Sequence, residues 1–161
     1  MRRANLPGIS GGMADSFHCL HFHVVFSTKG RAPLIPEEHE ARLWEYLGGI
    51  IREEGGMPLR IGGIETHVHL LFGSPPTVAL AAMIQRIKGV SSHWMNANFP
   101  EAGRFAWQDG YAAYSVSRSA LGKIADYIGN QREHHRVHTF EEEYRKLLDA
   151  HEVAYDEKYL S

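Results

Sequence analysis

The sequence predicts an α+β domain: a ferredoxin-like antiparallel sheet with helices on one face, and a further helix after the last strand. Three observations carry the prediction. Strand-like and helix-like runs follow one another in the order β-α-β-β-α-β-α. Two helices between four strands suit an antiparallel sheet, because parallel pairing needs a crossover at every step. The chain has 161 residues, 43% of them hydrophobic, which is enough for one core. No repeat or domain boundary divides residues 16–161, which read as a single domain. Residues 1–15, "MRRANLPGISGGMAD", are rich in Gly and small residues and read as a disordered extension, with Met13 a candidate start. They hold two arginines but no apolar core, so they are no secretory signal.

Each element has its own warrant. "HCLHFHVVFST" is a strand by its β-branched and aromatic content. "KGRAPLIP" is a loop with two prolines and a glycine. A helix follows from about Pro36, with acidic residues in its first turn and Leu43, Tyr46, Leu47 and Ile50 at helical spacing. Gly55-Gly56 ends it. "MPLRIGGI" is a short strand, and "THVHLLF" is the next. The helix "TVALAAMIQRIKGVSSHWMNANF" takes Thr77 as its cap and Leu80, Met83, Ile84 and Ile87 as its stripe. "FAWQDGYAAYSVS" is a strand broken at Asp109-Gly110. A third helix runs from near Ser119 to about His135, and the charged tail is partly helical. With both crossover helices on one face, the other sheet face is left free for a site or a partner.

Bulk properties exclude little. The formal net charge of -2 does not advertise nucleic-acid binding, though a local basic patch is enough to hold phosphates. The single cysteine, Cys19, forms no internal disulfide, which fits a cytoplasmic protein. No apolar run approaches the roughly 20 residues that span a membrane.

The 11 histidines stand out. In "THVHLLF", Val68, Leu70 and Phe72 point to one side of a strand, and His67, His69 and Leu71 to the other. The apolar face requires a core. The histidine face requires a ligand or water. On the third helix, Leu121, Ile124, Ala125 and Ile128 form the apolar stripe, and Tyr127 and Gln131 lie one turn apart on its flank. On spacing alone the ordinary reading prevails, a half-buried aromatic and a surface amide. His21/His23 and His134/His138 repeat metal-like spacings without a helix partner, and read as structural or solvated. Tyr111 and Tyr114 are rival nucleophiles that lack a neighbouring amide.

Taken together, "HFHVVFSTKGRAPLI", "THVHLLF", "IKGVSSHW", "FAWQDGYAAYSVS" and "YIGNQREHHR" resemble the one-tyrosine HUH transposases of the insertion-sequence 200/605 type and their REP-associated relatives. The resemblance runs from about Ser16 to Lys158 with the motifs in family order. It implies that His67 and His69 bind a divalent metal, Mg²⁺ or Mn²⁺, with Gln131 as third ligand. It implies that Tyr127 is the nucleophile, so the last helix is catalytic. The implied activity is transposition by cleavage and rejoining of single-stranded DNA through a 5′-phosphotyrosine. The implied partners are DNA hairpins near element ends and a second copy of the chain, in a homodimer whose tyrosine helix can serve the partner's histidines.

One departure is Thr66, where the family typically has Asp. Thr66 falls on the Val68 side of the strand, so a supporting hydrogen bond to the ligands is expected to be lost, at a cost of tenfold or more in metal affinity. A domesticated, catalytically silent hairpin-binding protein is therefore the alternative. A small metallohydrolase with no covalent step is the third reading.

The chemistry agrees with these residue types. A metal lowers the charge on a phosphodiester and orients it. Two imidazoles and an amide oxygen leave places open for phosphate and water, and imidazole suits Mn²⁺ better than Mg²⁺. A phenol, with its ordinary pKa of about 10, is a better leaving group than an aliphatic alcohol. No general base is evident. Lys29, Arg31, Arg86, Lys88 and Arg118 are the candidates for phosphate contact, with Trp94, Trp107 and Tyr111 for base stacking.

Overall fold

The computed structural model describes residues 17–160, so the extension expected over residues 1–15 lies outside the described residues. Strands β1 (His21–Ser27), β2 (Met57–Ile64), β3 (His67–Gly73) and β4 (Ala112–Ser115) form one sheet in the order β2-β3-β1-β4. Every pairing is antiparallel. Helix α1 (Glu37–Glu53) joins β1 to β2, and α2 (Leu80–Asn98) joins β3 to β4. This is the ferredoxin-like arrangement expected from the element order.

Strand alternation builds the core. Val24 and Phe26 of β1 and Val68, Leu70 and Phe72 of β3 share one face and are fully buried. Leu43, Leu47 and Ile51 from α1 and Met83, Ile84 and Ile87 from α2 close over them. Burying each such side chain stabilises by about 1.5–3 kcal/mol. Pro36 precedes the first turn of α1, where Glu37, Glu38 and Glu40 face the positive end of the helix dipole. Gly55, at φ 82°, supplies the left-handed residue just after it. Helix α2 begins at Leu80 with no side-chain cap, so Thr77 lies in the preceding turn instead of capping it. The last strand is also shorter than expected. It is confined to 112–115, and Trp107 meets Thr28 only as an isolated bridge.

The second face is not free. Beyond β4 the chain makes a 3-10 turn at Arg118–Ala120, then α3 (Leu121–Gly129), α4 (Gln131–His134) and α5 (Phe140–Ala150). The single helix expected to about His135 is broken at Asn130 (φ -105°, ψ 21°), after Gly129. Glycine and asparagine are weak helix formers, and the break redirects the chain. A capping box between Thr139 and Glu142 starts α5. The three helices lie across the face opposite α1 and α2. Val25, Ala112 and Tyr114 from the sheet pack with Leu148 and Leu160 there. Helix α3 docks on β2 at Gly62, where an added Cβ would sit 2.6 Å from the Ile128 carbonyl oxygen. No helix among the described residues is long and apolar enough to cross a membrane.

Candidate metal and tyrosine site

Alternation in β3 turns His67 and His69 onto the covered face, where both are fully buried. The close approach at Gly62 brings α3 over the same region. The Tyr127 ring sits edge-on to His69, with centroids 5.7 Å apart. Gln131 follows one turn later, 1% exposed, with its Oε1 3.0 Å from His67 Nε2. The four residues expected to act together are therefore adjacent within a single chain.

A fifth residue occupies the centre. Glu143, on α5, is 2% exposed. Its Oε1 accepts hydrogen bonds from the Tyr127 hydroxyl and, at 2.8 Å, from Gln131 Nε2. Its Oε2 lies 2.9 Å from His135 Nε2. His69 Nε2 is 3.3 Å from Oε1, and His67 Nε2 is 3.5 Å from Oε2. His67, His135 and Glu143 offer donor atoms within 4.8 Å of one another. Sequence reading missed Glu143 because it stands in an acidic first turn, which looks like a solvated helix start. The overlooked signal is its place between Phe140 and Leu147 on the stripe that α5 turns inward.

The histidine pair is held from behind. His23 of β1, 1% exposed, meets His69 Nδ1 through its Nε2 at 2.9 Å, and the two rings stack. That bond occupies Nδ1 of His69 and leaves its Nε2 aimed at the site, buried and without a hydrogen-bond partner among the described residues. Thr66 Oγ1 lies 3.1 Å from His67 Nδ1. The supporting bond expected to be lost at Thr66 is thus present, because the backbone at the strand entry swings the hydroxyl back to the imidazole.

Burial dominates the electrostatics. Desolvation and the neighbouring His69 hold His67 and His23 neutral, each pushed down to about 3. Burial pushes the Glu143 carboxyl up, but the His135 bond, the His69 imidazole 3.3 Å away and the Tyr127 hydroxyl outweigh it and leave it well below the usual carboxylate range. Burial also opposes protonation of His135, yet its bond to Glu143 and that residue's charge raise it. The Tyr127 phenol is pushed up, first by burial and then by the Glu143 charge.

Other sequence candidates disperse. His21 turns to Cys19 and His23 to His69, so they are no metal pair. His134 lies at the margin of the cluster, its side chain 24% exposed but its Nε2 buried 3.9 Å from Glu143 Oε1. Tyr114 is buried with Val25 and Leu148, stacked on His151, with its ring 6.0 Å from that of His23. The five basic residues do not form one patch. Arg86 pairs with Glu54, and Lys88 donates to the Asp109 and Gly110 carbonyls, both from α2 on the opposite face. Arg31 lies over the Phe140 ring and donates to the Leu160 carbonyl. Lys29 and Arg118 are exposed. Among the aromatics, Trp107 is buried against Phe26 and Phe105, whereas Trp94 stacks on Tyr46 beside α1.

Known proteins resemble this chain in sequence and fold. The chain is 25% identical over 119 residues to the ISDra2 transposase TnpA of Deinococcus radiodurans, covering 71% of this chain and 85% of that protein. A crystal structure from Deinococcus radiodurans, described there as a transposase, superposes with a TM-score of 0.59 at 25% identity, over 76% of this chain and 98% of the other. A REP-associated tyrosine transposase bound to a REP hairpin shares the fold, with a TM-score of 0.56 at 12% identity, over 76% of this chain and 74% of that one. The family model described as IS200-like transposase matches residues 16–131, which takes in both strands of the histidine cluster, Tyr127 and Gln131. The chain belongs to the IS200-like transposase family.

Proposed function

We propose that this transposase cuts and rejoins single-stranded DNA with Tyr127 as nucleophile and a divalent metal, Mg²⁺ or Mn²⁺, at His67, His69 and Gln131. The observation that carries the reading is the adjacency of the Tyr127 ring to His69, with Gln131 bonded to His67. The donor set fits such an ion: His69 Nε2 is buried and unpartnered, and an amide oxygen stands beside His67. The ion, when bound, draws charge from the phosphodiester and orients it. His23 and Thr66 fix the two imidazoles through their Nδ1 atoms, so that both Nε2 atoms face inward. Tyr127 Oη forms a bond to phosphorus while the bond from phosphorus to the 3′ oxygen breaks. A 5′-phosphotyrosine results, the phenolic proton leaves toward Glu143 Oε1, its present hydrogen-bond partner, and the departing 3′ oxygen takes a proton from water to become a 3′-OH. Attack by another 3′-OH reverses the step and frees the tyrosine. Hairpin-forming DNA near element ends is the proposed substrate, in keeping with a REP-hairpin-bound protein of the same fold, and a homodimer is the proposed assembly. Residues 16–161 are proposed to act as one domain.

The test is cleavage of single-stranded DNA carrying the hairpins of the chain's own locus, with Mn²⁺ or Mg²⁺, read on a denaturing protein gel. A DNA-linked protein band is expected for the wild type and is expected to vanish in Tyr127→Phe. Cleavage that persists in the variant sinks the nucleophile assignment. Tight hairpin binding without cleavage by either protein favours the silent binder.

A further inference from the structure

The donor atoms at the centre of the site form a closed ring. His67 Nε2 lies 3.0 Å from Gln131 Oε1, which lies 3.1 Å from His135 Nε2. His135 Nε2 lies 2.9 Å from Glu143 Oε2, which lies 3.5 Å from His67 Nε2. Donor atoms about 3 Å apart stand as close as neighbouring ligands do around one divalent ion, whose bonds to nitrogen and oxygen are about 2.2 Å. Hydrogen bonding alone does not account for the cluster, since His69 Nε2, buried and 3.3 Å from Glu143 Oε1, has no hydrogen-bond partner among the described residues.

We infer that Glu143 and His135 are further ligands of the proposed metal, so that the last helix closes the site with a carboxylate. The inference rests on the proposed metal role of His67, His69 and Gln131. The two carboxylate oxygens then divide the work. Oε2 completes the ring, while Oε1 holds the Tyr127 hydroxyl and the Gln131 amide. Glu143 thereby couples the metal to the position of the nucleophile. Three imidazoles, one amide oxygen and one carboxylate leave one place of an octahedron for a phosphate oxygen. Such a set suits Mn²⁺ better than Mg²⁺, which prefers oxygen ligands and keeps its waters. The carboxylate also supplies negative charge that the imidazoles and amide lack, so its loss weakens cation binding directly.

Mn²⁺ alone, titrated into the full-length protein without DNA and followed by the electron paramagnetic resonance of the free ion, tests this. Glu143→Gln keeps the shape and removes the charge, and is expected to weaken Mn²⁺ binding tenfold or more. Pulsed resonance of the ion bound to unaltered protein needs no variant to fold, and is expected to count three imidazole nitrogens. Unchanged or tighter binding in Glu143→Gln, or two coordinated imidazoles, overturns the inference while the histidine-pair site stands. Unchanged binding in both Glu143→Gln and His69→Gln overturns the underlying metal reading as well.

Discussion

The two faces of the sheet are buried to the same depth by opposite chemistry. On one, Val24, Phe26, Val68, Leu70 and Phe72 lie in an apolar core built chiefly from α1 and α2. On the other, His23, His67, His69, Gln131 and Glu143 are no more than 2% exposed, yet every one is polar. Removing the first set from water stabilises the fold directly. Removing the second set costs free energy unless each polar atom finds a partner. Residues of α3, α4 and α5 meet most of that demand, while His69 Nε2 stays without a hydrogen-bond partner among the described residues. The apolar face therefore makes the platform, and the polar face spends part of that stability to hold a reactive arrangement.

The sharpest test separates the two faces at neighbouring positions. His69→Gln keeps volume and polarity but removes the imidazole. It is expected to lower metal-dependent cleavage by about a thousandfold, the worth of several kcal/mol of charge stabilisation, with thermal stability little changed. Leu70→Ala points the other way. It is expected to cost about 2–5 kcal/mol and to lower the melting temperature by roughly 5–15 °C. Equal loss of stability in both variants would erase the distinction between the faces.

Gly62→Ala probes how α3 is seated. The new Cβ would meet the Ile128 carbonyl at 2.6 Å, so the helix must shift. Cleavage is expected to fall by about a hundredfold, since a displacement near ~1 Å misaligns the nucleophile. The accompanying stability loss is about 1–3 kcal/mol, read by denaturant titration. An alanine variant with unaltered cleavage would show that Tyr127 is not positioned through this contact.

Only the polar face responds to pH near neutrality. His67 and His23 are held to about 3, against an ordinary 6.5, so below pH 6.5 the unfolded chain binds protons that the folded chain refuses. His135 is raised and works in the opposite sense. That opposite contribution changes only above pH 6.5, so below it the net is about two protons, a loss of stability on the order of 2.7 kcal/mol per pH unit on acidification, down toward pH 3. Denaturant unfolding without metal at pH 7 and pH 5.5 measures it, and a flat profile counts against neutral burial.

The smallest effect is expected at Thr66→Val, which deletes the hydroxyl beside His67 Nδ1. Mn²⁺ affinity should fall by about tenfold, the low end for a residue that orients a ligand from behind. No change would leave His67 oriented by the strand alone.

Much of this site can be read along the chain. The alternation of "THVHLLF" separates His67 and His69 from the core residues, and the helical period sets Tyr127 one turn before Gln131. The helix break at Asn130 leaves that spacing intact. Thr66 illustrates the limit of such reading. Its Cα position assigns it to the far side, while its short side chain and the local backbone turn return the hydroxyl to His67. Glu143 illustrates it more strongly, because charge in a first helical turn has an ordinary explanation that hides its second role.

The sequence by itself determined the strand and helix order and the two faces of β3, since each depends on periodicity within one element, and it set Tyr127 four positions before Gln131, a spacing that survives the break between α3 and α4. Only the tertiary structure decided which helices cover the histidine face and which side chains complete it. His23 meets His69 across 46 positions, and Gln131 meets His67 across 64. The first follows from the antiparallel register of β1 on β3, and the second from how α3 and α4 dock against the sheet, through the glycine at 62 and the break at Asn130. No local period encodes that docking, because it arises from shape and from the need to satisfy buried polar atoms together.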